Sequence, residues 1–165
     1  RRRRGRVEEL LQIPSSGLWI GTFHGICHRI LRLHSAEANL NPTFQILDSD
    51  DQYRLVRRTI REMQLDEGEF PPRVVQGFIN ARKDDGVRPD HIEHHGNPLT
   101  MQMVEIYRIY QGACERSGLV DFAELMLRTV ELLRRLAVAQ PRVPEPREAR
   151  IRARACPRGR ALLVP

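Results

Sequence analysis

The stretch Asp48-Ser49-Asp50-Asp51-Gln52-Tyr53-Arg54-Leu55-Val56-Arg57-Arg58-Thr59-Ile60-Arg61-Glu62-Met63 decides the fold class. Leu55, Val56, Ile60 and Met63 recur at helical spacing and form one apolar stripe on an otherwise charged segment. Asp48 or Ser49 can cap its start, and Ser49 with Gln52 has the spacing of a capping box. The same period continues downstream. Pro71-Pro72 suits a first helical turn, Val74, Val75, Phe78 and Ile79 extend a second helix, and Asp84-Asp85-Gly86 ends it. A polar loop through Pro89 and Gly96 leads to a third helix, from about Pro98 to Arg116. Met103, Ile106, Tyr107, Tyr110 and Cys114 mark its inner face, and Gly118 stops it. Asp121 caps a fourth helix with apolar positions at Phe122, Leu125, Met126, Val130, Leu132 and Leu133. The expectation is a mainly α fold, with residues 36–118 forming a helical bundle.

Upstream, Val7 to Leu11 reads as a short helical stretch and Pro14–Gly17 as a turn. Leu18-Trp19-Ile20 then reads as one short buried strand, near Leu18–Thr22. From Thr22 to His34, Phe23, Ile26, Cys27, Ile30, Leu31 and His34 keep helical spacing, so this strand feeds a helix. Beyond Leu136 the period collapses. Pro141, Pro144, Pro146 and Pro157 interrupt an arginine-rich stretch, and residues 140–165 are not expected to pack stably.

A chain of 165 residues with 41% apolar and 29% charged side chains suits one soluble globular domain, with or without flanking pieces. No run approaches the roughly 18 apolar residues of a membrane span, and no signal peptide is read at the start. Three cysteines, Cys27, Cys114 and Cys156, argue against a disulfide framework and point to a reducing cytoplasm. The net charge of +6 misleads as a sign of nucleic-acid binding. Five arginines fall in residues 1–6, and nine arginines against three glutamates fall in residues 131–165, which leaves residues 7–130 at −5. Nucleic acid on this body would need local contacts rather than a broad positive field.

Three ordered blocks resemble the UvrD/Rep/PcrA-type superfamily 1 DNA helicases. The first is Trp19-Ile20-Gly21-Thr22-Phe23-His24-Gly25 with Cys27-His28-Arg29-Ile30-Leu31-Arg32, similar to the motif usually called Ib. The second is Phe44-Gln45-Ile46-Leu47-Asp48 with Asp51-Gln52, which resembles the lead into that family's helical insertion. Ile79-Asn80, Lys83-Asp84 and Gly86-Val87-Arg88-Pro89 fit within the insertion. The third, Gly118-Leu119-Val120-Asp121-Phe122-Ala123-Glu124-Leu125, resembles the return to the RecA-like core.

The resemblance implies residues 7–35 from motor domain 1A, a helical 1B-like subdomain over 36–118, and a helix returning to 1A over 119–136. The parent would be an ATP- and Mg2+-dependent 3′–5′ helicase acting on single-stranded DNA and single/double-strand junctions, typically in DNA repair. The family's Gly-x-x-x-x-Gly-Lys-Thr loop and Asp-Glu pair are absent from this sequence. The segment alone is therefore expected to bind no nucleotide and hydrolyse no ATP. Residues 137–165 form an atypical Arg/Pro-rich tail. Cys156-Pro157-Arg158-Gly159-Arg160 can be encoded by TGT CCT CGT GGA CGA. Read one base later, with the following G, this gives Val-Leu-Val-Asp-Glu, the family's run into its acidic pair. A frame error after about Leu136 is the expectation. The competing reading is a small non-enzymatic helical module that binds nucleic acid or a partner protein.

Thr22, Phe23, His24 and Gly25 are the strongest site candidates. At a helix start, free N–H groups and a hydroxyl can hold a phosphate, and an aromatic ring can stack on a base. A plain structural turn, with Thr22 as cap and Phe23 in the core, is the bland alternative. Lys83 and Arg88 are further DNA candidates, set against an exposed helix end whose cations face the dipole. His24, Cys27 and His28 have zinc-like spacing but no fourth ligand, and Gly25 stands where a zincin motif has glutamate, so no metal site is expected. Asp121 and Glu124 read as a cap and its partner rather than as an acid–base pair. Tyr107, Tyr110 and Cys114 read as core.

Overall fold

The computed structural model describes residues 19–139, and the N-terminal stretch and the tail discussed above lie outside them. Among the described residues, five α-helices and two three-residue strands follow in the order α1 (Phe23–Leu33), β1 (Gln45–Leu47), α2 (Ser49–Glu62), α3 (Pro72–Asp84), α4 (Pro98–Ser117), β2 (Leu119–Asp121) and α5 (Phe122–Ala139). A single 3-10 turn, Pro89–His91, lies between α3 and α4. The chain divides into two compact units after Leu133, and the side chains of the candidate site all lie in the first.

The helices begin and end where local chemistry directs. Asp48 is the cap of α2, and its side chain accepts hydrogen bonds from the N–H groups of Asp50 and Asp51 at 2.9 and 2.8 Å. Gln52 does not close a capping box. Its side chain reaches α3 instead, donating to Asn80 Oδ1 at 2.7 Å and accepting from Gln76 Nε2 at 2.9 Å. Asn97 caps α4, and Gly118 ends that helix at φ +64°, a left-handed conformation that glycine adopts without a Cβ clash.

The inward faces of α2, α3 and α4 meet in one core of Val56, Ile60, Val75, Ile79, Ile106, Tyr107, Tyr110 and Cys114, closed by Leu47 and Phe70. This is the expected bundle. The sheet was not expected. β1 and β2 pair in parallel, with Gln45 opposite Leu119, Ile46 opposite Val120 and Leu47 opposite Asp121. Parallel strands need a long crossover, and here the three-helix bundle is that crossover.

The strand expected near Leu18–Thr22 is absent from the described part of that stretch. Trp19 is 41% exposed, with the Arg29 guanidinium stacked 4.4 Å from its ring centroid. A strand requires a paired edge, and the only sheet among the described residues is the β1–β2 pair. Phe23, a DNA-contact candidate that the bland alternative would place in the core, is 77% exposed, whereas Cys27 and Leu31 on the same helical period are buried.

Candidate nucleic-acid interface

Thr22 is the cap of α1, in extended conformation, and its Oγ1 accepts a 3.2 Å hydrogen bond from the Gly25 N–H. The Thr22 carbonyl accepts from the Ile26 N–H at 3.0 Å. The N–H groups of Phe23 and His24 make no hydrogen bond within the described residues. They are the first two donors of the helix, aligned with its positive dipole end. The first turn of α1 carries no acidic residue, whereas that of α2 holds Asp50 and Asp51. Of these two helix starts, only that of α1 is left open to an anion. Gly25 matters here because a Cβ at this position would lie 3.3 Å from Thr22 Oγ1, crowding the cap.

His24 packs edge-on against Phe122, with ring centroids 5.4 Å apart at 86°. Both residues line an open cleft of about 440 Å³, with Gln52 and Asn80 on its polar side and Met126 on its apolar side. Phe122 is 44% exposed at the head of α5. Sequence reasoning treated Phe122 as an apolar helix position within the third family block, and no local signal marks it as the neighbour of His24.

Lys83 and Arg88 stand elsewhere. Lys83 is fully buried, with Nζ 2.7 Å from Asp121 Oδ2 and 3.0 Å from Glu124 Oε2, near the faces of Tyr107 and Tyr110. It cannot meet a phosphate in this conformation. Arg88 donates through Nη1 to both oxygens of Glu124, at 2.8 and 2.9 Å, and its Nε and Nη2 form a bidentate pair with the two oxygens of Glu131. Arg128 donates to Glu124 through Nε at 2.6 Å and to the Ala38 carbonyl at 3.1 Å. Tyr110 donates its hydroxyl to Asp121 Oδ2 at 2.7 Å.

Burial pushes the Glu124 carboxyl up, but the charges of Lys83, Arg88 and Arg128 outweigh it and hold the pKa at about 2. Burial likewise pushes the Lys83 ammonium down, while Glu124 and Asp121 more than offset it, leaving the net shift upward. The cap reading of Asp121 fits half of what is seen, since its Oδ1 accepts from the Glu124 N–H at 2.7 Å. The Glu124 carboxylate does not turn back to the helix start, because three cations surround it.

The zinc-like trio diverges. The Cys27 thiol lies 3.5 Å from Met126 Sδ, His24 faces Phe122, and His28 packs on Phe44 and accepts from Arg32 Nε. The chain's one lysine is enclosed, and the acid pair Asp121 and Glu124 is saturated by internal donors.

A mainly helical protein whose short parallel strand pair frames a three-helix crossover, beside a helix start open to anions, is the class that this geometry defines. Residues 1–154 match the model of the UvrD/REP helicase N-terminal domain, and the chain belongs to the UvrD/Rep helicase family. It is 52% identical over 129 residues to DNA helicase II of Escherichia coli (strain K12), covering 78% of this chain and 18% of that protein. It is 49% identical over 116 residues to DNA helicase II of Haemophilus influenzae, covering 70% and 16%. To the ATP-dependent DNA helicase PcrA of Bacillus subtilis (strain 168) it is 32% identical over 132 residues, covering 79% and 18%. The chain thus spans less than a fifth of the length of these curated relatives.

Proposed function

We propose that this chain is the part of an ATP-dependent 3′–5′ DNA helicase that grips single-stranded DNA at the Thr22–Gly25 turn. The observation that carries this reading is the pair of unbonded N–H groups at Phe23 and His24, on a helix start without acidic residues. A backbone phosphate placed there would receive both amides and a donor from the His24 imidazole. The exposed Phe23 and Phe122 rings would offer stacking surfaces to neighbouring bases. Lys83 takes no part in that contact, and Arg88 enters it only if its carboxylates release it.

In this reading residues 7–35 belong to motor domain 1A, 36–118 form the 1B-like helical subdomain, 119–136 return to 1A, and 137–165 are the atypical tail. ATP and Mg2+ are cofactors of the longer protein, which works in the cytoplasm on single strands and their junctions with duplex. No helix among the described residues is long and apolar enough to cross a membrane.

The test is single-strand affinity of the full chain for an oligo-dT over a salt series, with the melting temperature recorded for each variant. His24→Ala should lose on the order of 1 kcal/mol, several-fold in affinity, with the fold intact. Thr22→Ala should act in the same direction, with an added loss of stability from the missing cap. Because the contact is to phosphate, the loss should be alike for different base sequences. The arginine-rich ends contribute a strongly salt-dependent background, so the His24 effect is read at salt high enough to suppress it. A lower melting temperature with unchanged affinity per folded molecule would make the turn purely structural.

A further inference from the structure

Lys83 is the only lysine among 27 basic residues, and among the described residues it is the one that is fully buried. A guanidinium is broad and planar, whereas an ammonium is a compact point charge with three donors. Between the rings of Tyr107 and Tyr110, Nζ reaches two carboxylates at 2.7 and 3.0 Å. Those carboxylates belong to Asp121, the last residue of β2, and Glu124, on the first turn of α5, with Phe122 between them in the chain.

Asp121 is held by three donors: Lys83, the Tyr110 hydroxyl and the Glu124 N–H. Glu124 is held by Lys83, Arg88 and Arg128. Phe122 sits between these anchored residues, half exposed, with its ring edge-on to His24. Buried ion pairs are weak stabilisers compared with apolar packing, but they tolerate few alternative geometries. What this cluster defines most tightly is the position from which α5 starts.

We propose that Lys83, with Arg88 behind it, is a positioning residue for Phe122, holding that ring against His24 so that the ring and the α1 turn present one surface to DNA. The DNA half of this inference rests on the function proposed above, and the positioning half does not.

Two measurements on the full chain separate the halves. The first uses the aromatic 1H–13C spectrum without DNA, with the His24 ring signals assigned by His24→Gln. The ring-current shift from Phe122 is then defined by Phe122→Leu. In folded Lys83→Met and Arg88→Met, the His24 signals should move toward their positions in Phe122→Leu. The second is oligo-dT affinity. Phe122→Leu should weaken binding roughly five- to ten-fold, Lys83→Met should weaken it similarly, and the double variant should be no weaker than Phe122→Leu alone.

Unmoved His24 signals in both cluster variants, or losses that multiply in the double variant, would overturn the positioning role. Should Lys83→Met fail to fold, Arg88→Met decides alone, because it leaves the Lys83–Asp121 pair in place. If His24→Gln and Phe122→Leu both keep wild-type affinity, the DNA reading falls, while the His24 shift still decides whether Lys83 positions the ring.

Discussion

Two regions of this molecule are built from the same chemistry, arginine or lysine against carboxylate, and they differ in how much water reaches them. On α2, Arg54, Arg57, Arg58 and Arg61 follow one helical face and pair with Asp51, Glu62 and Glu67. Their side chains are between 43% and 75% exposed. At the junction of α3, α4 and α5, Lys83, Arg88 and Arg128 pair with Asp121, Glu124 and Glu131, and Lys83, Asp121 and Glu124 are almost dry. An exposed pair gains little, because solvent screens it and two long side chains lose freedom to form it. Inside, removal of one partner strands the other without water. Burial, not the number of pairs, decides which cations this fold depends on.

The largest effect is expected from the junction. Lys83→Met should lower the stability of the full chain by about 3–5 kcal/mol, read from the denaturant midpoint, chiefly because Asp121 loses its compensating charge. A loss below about 1 kcal/mol would break the contrast between the two regions.

Acid gives the next largest. Glu124 has a folded pKa of about 2, below its ordinary value of 4.5. A carboxyl with a depressed folded pKa contributes stability above its unfolded pKa, and that contribution is lost as pH falls through the folded one. Stability should therefore drop between about pH 4.5 and pH 2, by on the order of 3 kcal/mol from this group. Glu124→Gln should flatten that part of the profile. An unchanged slope would mean that the three cations do not act on this carboxyl.

The smallest effect belongs to the exposed face. Arg58→Ala removes a 2.7 Å pair with Glu62 on side chains that are 74% and 56% exposed. It should change stability by no more than about 0.5 kcal/mol, and by less still in roughly 1 M salt. A loss comparable to that of Lys83→Met would show the α2 face to be less solvated than its exposure implies.

What the order of residues determined by itself is the set of helices, their caps and much of their inner faces. Leu55, Val56, Ile60, Ile106, Tyr107 and Tyr110 announce their sides through a period of 3.6, and Thr22, Asp48 and Gly118 end helices through bonds to residues at most four positions away. Information of that range is written in neighbouring residues. The family resemblance was legible for a related reason, since its blocks are short, contiguous and ordered along the chain.

Tertiary structure alone decided the rest. The β1–β2 pair joins three-residue strands across the whole bundle, and neither strand has a local pattern long enough to declare itself. Periodicity placed Phe23 on a helix face but could not say whether anything covers that face. Lys83, read locally, is a cation at a helix end, next to Asp84 and Asp85. Its partner Asp121 lies 38 residues away and reaches it only because β2 runs beside β1 and starts α5 at the end of α3. A side chain's charge is a property of the sequence, whereas the carboxylates that surround it and the water excluded from it are properties of the packed chain.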